Sequence, residues 1–177
     1  MPARVLIEGR PGIGKTTVAR QLIDRLRERG LSVAGFTTEE MREGGRRVGF
    51  TVEDVGGDRA VLASTRLPGP PRVGRYGVDV PAFERIALPA LAGGSLGQAV
   101  VIDELGKMEL HSKPFREAVA RLFEEPVPVV ATVHRFQHPF TDALKRQVDV
   151  AVIRLTQRNR DELAGELAER LFPSANR

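Results

Sequence analysis

The sequence predicts an α/β fold: a mostly parallel central sheet between layers of helices, three layers in all, with a small antiparallel hairpin annex at about 38–64. Three observations carry that expectation. Short, predominantly apolar runs stand at 5–7, 99–102, 127–133 and 150–155, as in strands buried on both faces. Segments of helical periodicity alternate with them, as crossovers between parallel strands require. Between 38 and 64 the texture changes to extended runs on either side of Gly44-Gly45, the mark of a hairpin.

Taken in order, Val5, Leu6 and Ile7 form the first strand. Val18, Leu22 and Leu26, with Ala19 and Ile23 beside them, share one face of the helix that follows. Gly30 stands where a helix stops. A second strand covers 31–37, the hairpin comes next, and 58–64 adds a further strand. Residues 66–80 form a proline- and glycine-rich loop with one aromatic residue, Tyr76. A helix over 81–91 contains Pro89, which should disturb it. Ser112 is placed to cap a helix whose inner face is Phe115, Val119, Leu122 and Phe123. Leu163, Leu167 and Leu171 mark the closing helix. No repeat or low-complexity linker divides the chain, so residues 1–177 read as one domain, a length that supports one full core and is short for two.

The composition, 41% hydrophobic and 28% charged, is that of a soluble globular protein. With no cysteine, neither a disulfide framework nor a thiolate metal site can form. Apolar runs fall well short of the roughly 20 residues of a membrane span, and three residues before the first strand leave no room for a signal peptide. The expectation is a cytoplasmic monomer without a membrane partner. The net charge is +4, and the 27 Lys and Arg residues are spread along the chain rather than gathered in a block, so no dedicated nucleic-acid surface is expected.

Gly9-Arg10-Pro11-Gly12-Ile13-Gly14-Lys15-Thr16 satisfies G-x-x-x-x-G-K-[ST] at every fixed position, and Thr17 follows it into a helix. In this P-loop (Walker A) motif the glycines let backbone amides turn inward around phosphates, and the helix N-terminus adds its positive end. Lys15 can reach the β- and γ-phosphates, and the Thr16 hydroxyl can serve as a ligand of Mg²⁺. The second half of such a site, a Walker B acid, is expected at the carboxyl end of a strand. The run Val100-Val101-Ile102 ends in Asp103-Glu104. Asp103 is the candidate Mg²⁺ ligand, acting through water. Glu104 is placed to polarise a water for in-line attack on the γ-phosphorus, a base that nucleotide kinases do not need.

Beyond the acid pair, Lys107 could approach phosphate or pair at the surface with Glu109. His134, at the end of the 127–133 strand and next to Thr132, is a candidate γ-phosphate sensor. Asn159 and Arg160 lie where a base can be contacted, although Asn159 and Glu162 also have capping-box spacing. Arg42, Arg46, Arg47 and Arg75 sit on elements that could fold over a nucleotide, and nothing singles one out as an arginine finger. His111 and His138 have no partner pattern.

Together these motifs resemble one family, the small P-loop nucleoside triphosphatases of the THEP type, related to the cancer-related nucleoside triphosphatases of animals. The resemblance rests on Gly9 to Thr17, on Gly35-Phe36-Thr37-Thr38-Glu39-Glu40-Met41-Arg42, on Gly49-Phe50, on Gly74-Arg75-Tyr76-Gly77-Val78-Asp79, and above all on Asp103-Glu104-Leu105-Gly106-Lys107-Met108-Glu109-Leu110. It continues through Thr132-Val133-His134 to Asn159-Arg160-Asp161. It implies a P-loop NTPase-type fold, and slow, Mg²⁺-dependent hydrolysis of nucleoside triphosphates to diphosphate and phosphate with broad base tolerance (ATP, GTP and others). Nucleotide binding carries over to Gly9–Thr16 and to Val101, Ile102, Asp103, Glu104, Leu105, Gly106, Lys107 and Met108. A small nucleotide or nucleoside kinase, and a nucleotide-dependent switch associated with nucleic acid, are the alternatives.

Overall fold

The computed structural model describes residues 3–92 and 99–174. Nine strands run β1 Arg4–Glu8, β2 Val33–Glu43, β3 Arg46–Asp54, β4 Arg59–Ser64, β5 Arg72–Val73, β6 Tyr76–Val78, β7 Ala99–Leu105, β8 Val129–Val133 and β9 Val150–Arg154. Five helices join them: α1 Lys15–Glu28, α2 Val80–Ala92, α3 Lys113–Leu122, α4 Pro139–Lys145 and α5 Leu163–Leu171. All nine strands form one sheet, ordered β5-β6-β4-β3-β2-β7-β8-β1-β9. β2, β7, β8, β1 and β9 are mutually parallel, whereas β3 to β6 are antiparallel. The hairpin annex is therefore continuous with the central sheet and extends to Val78.

Alternation along the strands divides the core into two layers. Leu6, Val100, Ile102, Val129, Ala131 and Val133 face the side covered by α2 and α3, with Phe36, Phe83 and Phe115 at its centre. Val5, Ile7, Ala99, Val101 and Val130 face the side covered by α1 and α5. Phe36 touches both Phe83 and Phe115, with ring centroids 5.6 and 5.8 Å away.

Some elements differ from the sequence-based expectation. The second strand runs to Glu43 because its outer half pairs with β3 rather than ending at the sheet's edge. α2 continues through Pro89 to Ala92, where the proline's missing donor falls in the last turns. α4 has no counterpart in the sequence reading; it is short, capped by His138 Nδ1 accepting from the Phe140 amide, and tied to the rest by Lys145 Nζ donating to Glu8 Oε1 at 2.7 Å. Ser112 caps α3 as its position suggests, accepting from the Phe115 amide at 3.1 Å. Among the described residues no helix is long and apolar enough to cross a membrane.

Candidate functional site

Because the five parallel strands share a direction, their carboxyl ends meet at one edge of the sheet, the edge where ligands bind in folds of this kind. β1 leads there into the glycine-rich loop, β7 delivers Asp103 and Glu104, and β8 delivers Thr132 and leads to His134. The loop passes directly into α1, whose N-cap, Gly14, has φ +116°, a backbone that side-chain-bearing residues rarely adopt. Ile13 is buried, so its side chain anchors the loop to the core. Arg10 and Pro11 are exposed.

Lys15 is 7% exposed. Its Nζ donates to the carbonyls of Gly9 at 2.7 Å and Arg10 at 3.2 Å and lies 3.9 Å from Glu104 Oε2. The ammonium is thus held between the loop and the acid pair. Asp103 is 1% exposed. Its Oδ1 accepts from Thr132 Oγ1 at 2.7 Å and its Oδ2 from the Thr38 amide at 3.4 Å, and the Thr16 hydroxyl lies close by. Burial, reinforced by the charge of Glu104, raises the Asp103 carboxyl from 3.8 to about 6.

That shift has a sign for stability. Below about 3.8 both folded and unfolded chains hold the proton. As pH rises the unfolded chain releases it first, so stability from this group falls until about pH 6 and stays lost above it. Asp103→Asn is expected to raise the stability of the ligand-free protein by about 2–3 kcal/mol at neutral pH, with the gain shrinking towards pH 4. Urea unfolding at neutral and acid pH measures it; an equal gain at both would assign the effect to packing rather than charge.

Thr16 and Asp103 present only oxygen donors, side by side. Mg²⁺ is typically held by one or two carboxylates, waters and substrate phosphates, and a buried carboxylate beside the P-loop threonine fits that need. No cluster of three or more His, Asp or Glu side chains that could hold a metal ion by itself occurs among the described residues.

Glu104 carries the reactive geometry. His134 Nε2 is 2.5 Å from Glu104 Oε1, and Lys15 flanks the other oxygen. His134, read from sequence as a phosphate sensor, is placed as the partner of Glu104. Val101, Ile102 and Leu105 are wholly buried, so their side chains support the strand while only its backbone reaches the edge. Met108 packs against the core.

The alternative pairing of Lys107 with Glu109 does not occur. Lys107 Nζ sits 4.9 Å over the Phe136 ring, while Glu109 is 4% exposed and turned inward. Nor does Asn159 form a capping box with Glu162. Its Oδ1 accepts from the amide and hydroxyl of Thr156, at 2.8 and 3.2 Å, and its Nδ2 donates to the Arg154 carbonyl at 2.9 Å. The helix starts later, capped without any side-chain bond. Asn159 is thus committed to its own turn, and Arg160 leans on the P-loop, Nη1 to the Ile13 carbonyl at 3.4 Å. Arg42, Arg47 and Arg75 are engaged with Glu40, Tyr76 and neighbouring carbonyls. Thr38 and Glu109 join the site without having been singled out. An amide contact such as that of Thr38 leaves no mark in sequence, but Glu109 stands three residues after Gly106, the spacing at which a carboxylate reaches back to an amide.

Comparison with known proteins bears on the chain as a whole. A family model described as NTPase matches residues 4–168. The chain is 43% identical to the nucleoside-triphosphatase THEP1 of Methanopyrus kandleri over 175 residues, 97% of each chain. It is 41% identical to that of Thermotoga sp. strain RQ2 over 165 residues, 93% of this chain and 92% of the relative. The crystal structure of THEP1 from Aquifex aeolicus superposes with a TM-score of 0.87 at 34% identity, covering 96% of this chain and 99% of that one. With likeness in sequence and in shape running over nearly its whole length, this chain belongs to the NTPase family.

Proposed function

We propose that the protein hydrolyses nucleoside triphosphates to diphosphate and phosphate, with Mg²⁺ as cofactor and little preference among bases. The observation that carries this reading is the position of Glu104: a carboxylate at the carboxyl end of β7, flanked by Lys15 and His134 and next to the buried Asp103. The loop amides and Lys15 hold the polyphosphate and offset the charge that gathers on the transferring group. Mg²⁺, when bound, neutralises phosphate charge and orients the reacting group, and Thr16 and Asp103 would hold it. Glu104 takes the proton of the attacking water as its oxygen bonds to the γ-phosphorus and the bond to the leaving diphosphate breaks. His134 sets the orientation of Glu104.

Broad base tolerance is consistent with the bonding of Asn159, the residue that sequence placed near a base. Strong discrimination comes from dedicated hydrogen bonds, and Asn159 is occupied by its own turn. Slow turnover is consistent with a base whose second oxygen faces Lys15, since Glu104 must yield that contact before it serves water. The test is phosphate release from ATP, GTP, CTP and UTP with and without Mg²⁺, together with the fate of a labelled γ-phosphate when a nucleoside acceptor is added. All four are expected to turn over within about tenfold of one another, chelation of Mg²⁺ should stop the reaction, and the label should appear as free phosphate. Faster transfer to the nucleoside than to water would replace this reading with a kinase.

A further inference from the structure

One buried ionisable group next to the reaction centre has no part in the steps above. Glu109 lies in a 3₁₀ turn, Glu109–His111, that follows β7 directly. Its backbone neighbour Leu110 donates to the Gly106 carbonyl at 3.0 Å, so residues 106–110 close one tight turn. The Glu109 carboxyl curls back over that turn towards the Gly106 amide, in the manner of the reach-back half of a capping box. Among the described residues no cation pairs with it within salt-bridge distance.

Gly106 shows how close the groups are. A Cβ built there would lie 2.7 Å from Glu109 Oε2, 2.9 Å from His134 Nε2 and 3.1 Å from Glu104 Oε1. Three polar side chains thus converge on one glycine Cα, and the two that touch each other, Glu104 and His134, are those assigned to the water. Glu109 is the third member and the most deeply buried. Burial, and then the charge of Glu104, push its carboxyl well above the usual range. Burial favours the neutral form of this carboxyl, which does not repel Glu104.

We infer that Glu109 is a positioning residue for hydrolysis, fixing the Gly106 turn and the seat of the Glu104–His134 pair so that Glu104 faces the attacking water. This rests on Glu104 acting as the base. A residue that works only through Glu104 has an effect that vanishes once Glu104 is disabled. A residue that only stabilises the turn changes the amount of folded protein and leaves the rate per folded site alone.

The experiment is a double-mutant cycle of Glu109→Ala and Glu104→Gln, with kcat and KM for Mg²⁺-ATP expressed per site competent to bind a non-hydrolysable triphosphate. Glu109→Ala is expected to lower kcat by about 10- to 100-fold, the cost of a misplaced reacting group, with little change in KM. In the Glu104→Gln background the same change should cost nothing further. Glu109→Gln, whose carbonyl can accept from the Gly106 amide and whose side chain is neutral, should restore most of the rate. If Glu109→Ala fails to fold, Glu109→Asp takes its place in the cycle, being too short to reach the turn. An unchanged kcat per competent site, a full multiplicative loss in the double mutant, or a glutamine variant as slow as alanine would each overturn the inference. The Glu104→Gln single variant reports on the base assignment by itself, so failure of that assignment is read separately.

Discussion

Lys15→Ala is expected to abolish measurable triphosphate hydrolysis, a fall of roughly 10³-fold or more in kcat/KM. The reason is where the ammonium sits. It is 7% exposed, held by the Gly9 and Arg10 carbonyls on one side and facing Glu104 on the other. Among the described residues no other lysine or arginine donates to the Gly9 or Arg10 carbonyl. A phosphate cradled by the loop amides would meet this cation first, and transition-state charge on the γ-group would be left without it. Lys15→Arg should not rescue the activity, because a planar guanidinium cannot take three donors into the space of an ammonium. Affinity for a triphosphate analogue should fall more than affinity for the diphosphate. Equal losses for the two would place Lys15 away from the γ-phosphate.

Gly35→Ala is expected to destabilise the fold by at least about 4 kcal/mol, in the range reserved for severe backbone or packing conflict. Gly35 sits in β2 opposite Val101 of β7 with φ +115°, and a Cβ there would lie 1.8 Å from the Val101 carbonyl oxygen. Relief requires β2 to leave β7. That shift would pull Phe36 from between Phe83 and Phe115, and would take the Thr38 amide away from Asp103. The substitution therefore strikes the core and the site together. Thermal unfolding measures it: a drop of about 10 °C or more is expected if the variant folds at all, and a melting temperature within a few degrees of wild type would mean the sheet can open locally at little cost.

The parts of the site legible in the sequence are those in which chemistry demands residues at fixed spacing. The P-loop specifies its glycines, Lys15 and Thr16, and an apolar strand that stops at Asp103-Glu104 states the position of the second acid. The parallel half of the sheet was legible because burial on both faces leaves long apolar runs. The rest depends on contacts distant in sequence. α4 is short and held by the Lys145–Glu8 ion pair, which periodicity does not register. β2 beyond Thr37 reads in sequence as the first arm of the hairpin, and its continuity with the 31–37 strand shows only in the pairing with both β7 and β3. A glutamate beside a lysine suggests a solvated surface pair, and only the turn at Gly106 sends Glu109 inward and Lys107 onto Phe136. Asn159 shows the same limit in a single side chain: its spacing to Glu162 suggests a cap, but its amide is bonded back to Thr156 and Arg154.

In the proposed reaction Glu104 readies the water that attacks the γ-phosphorus. Glu104→Gln keeps the side chain's size and its place beside His134 and removes the capacity to take a proton. The direct measurement is single-turnover phosphate release by this variant, alongside its affinity for Mg²⁺-ATP. The expected result is affinity close to wild type with a rate reduced by about 10²-fold or more, the contribution of a positioned general base. Wild-type rates with wild-type affinity would contradict the account and assign the water to another group.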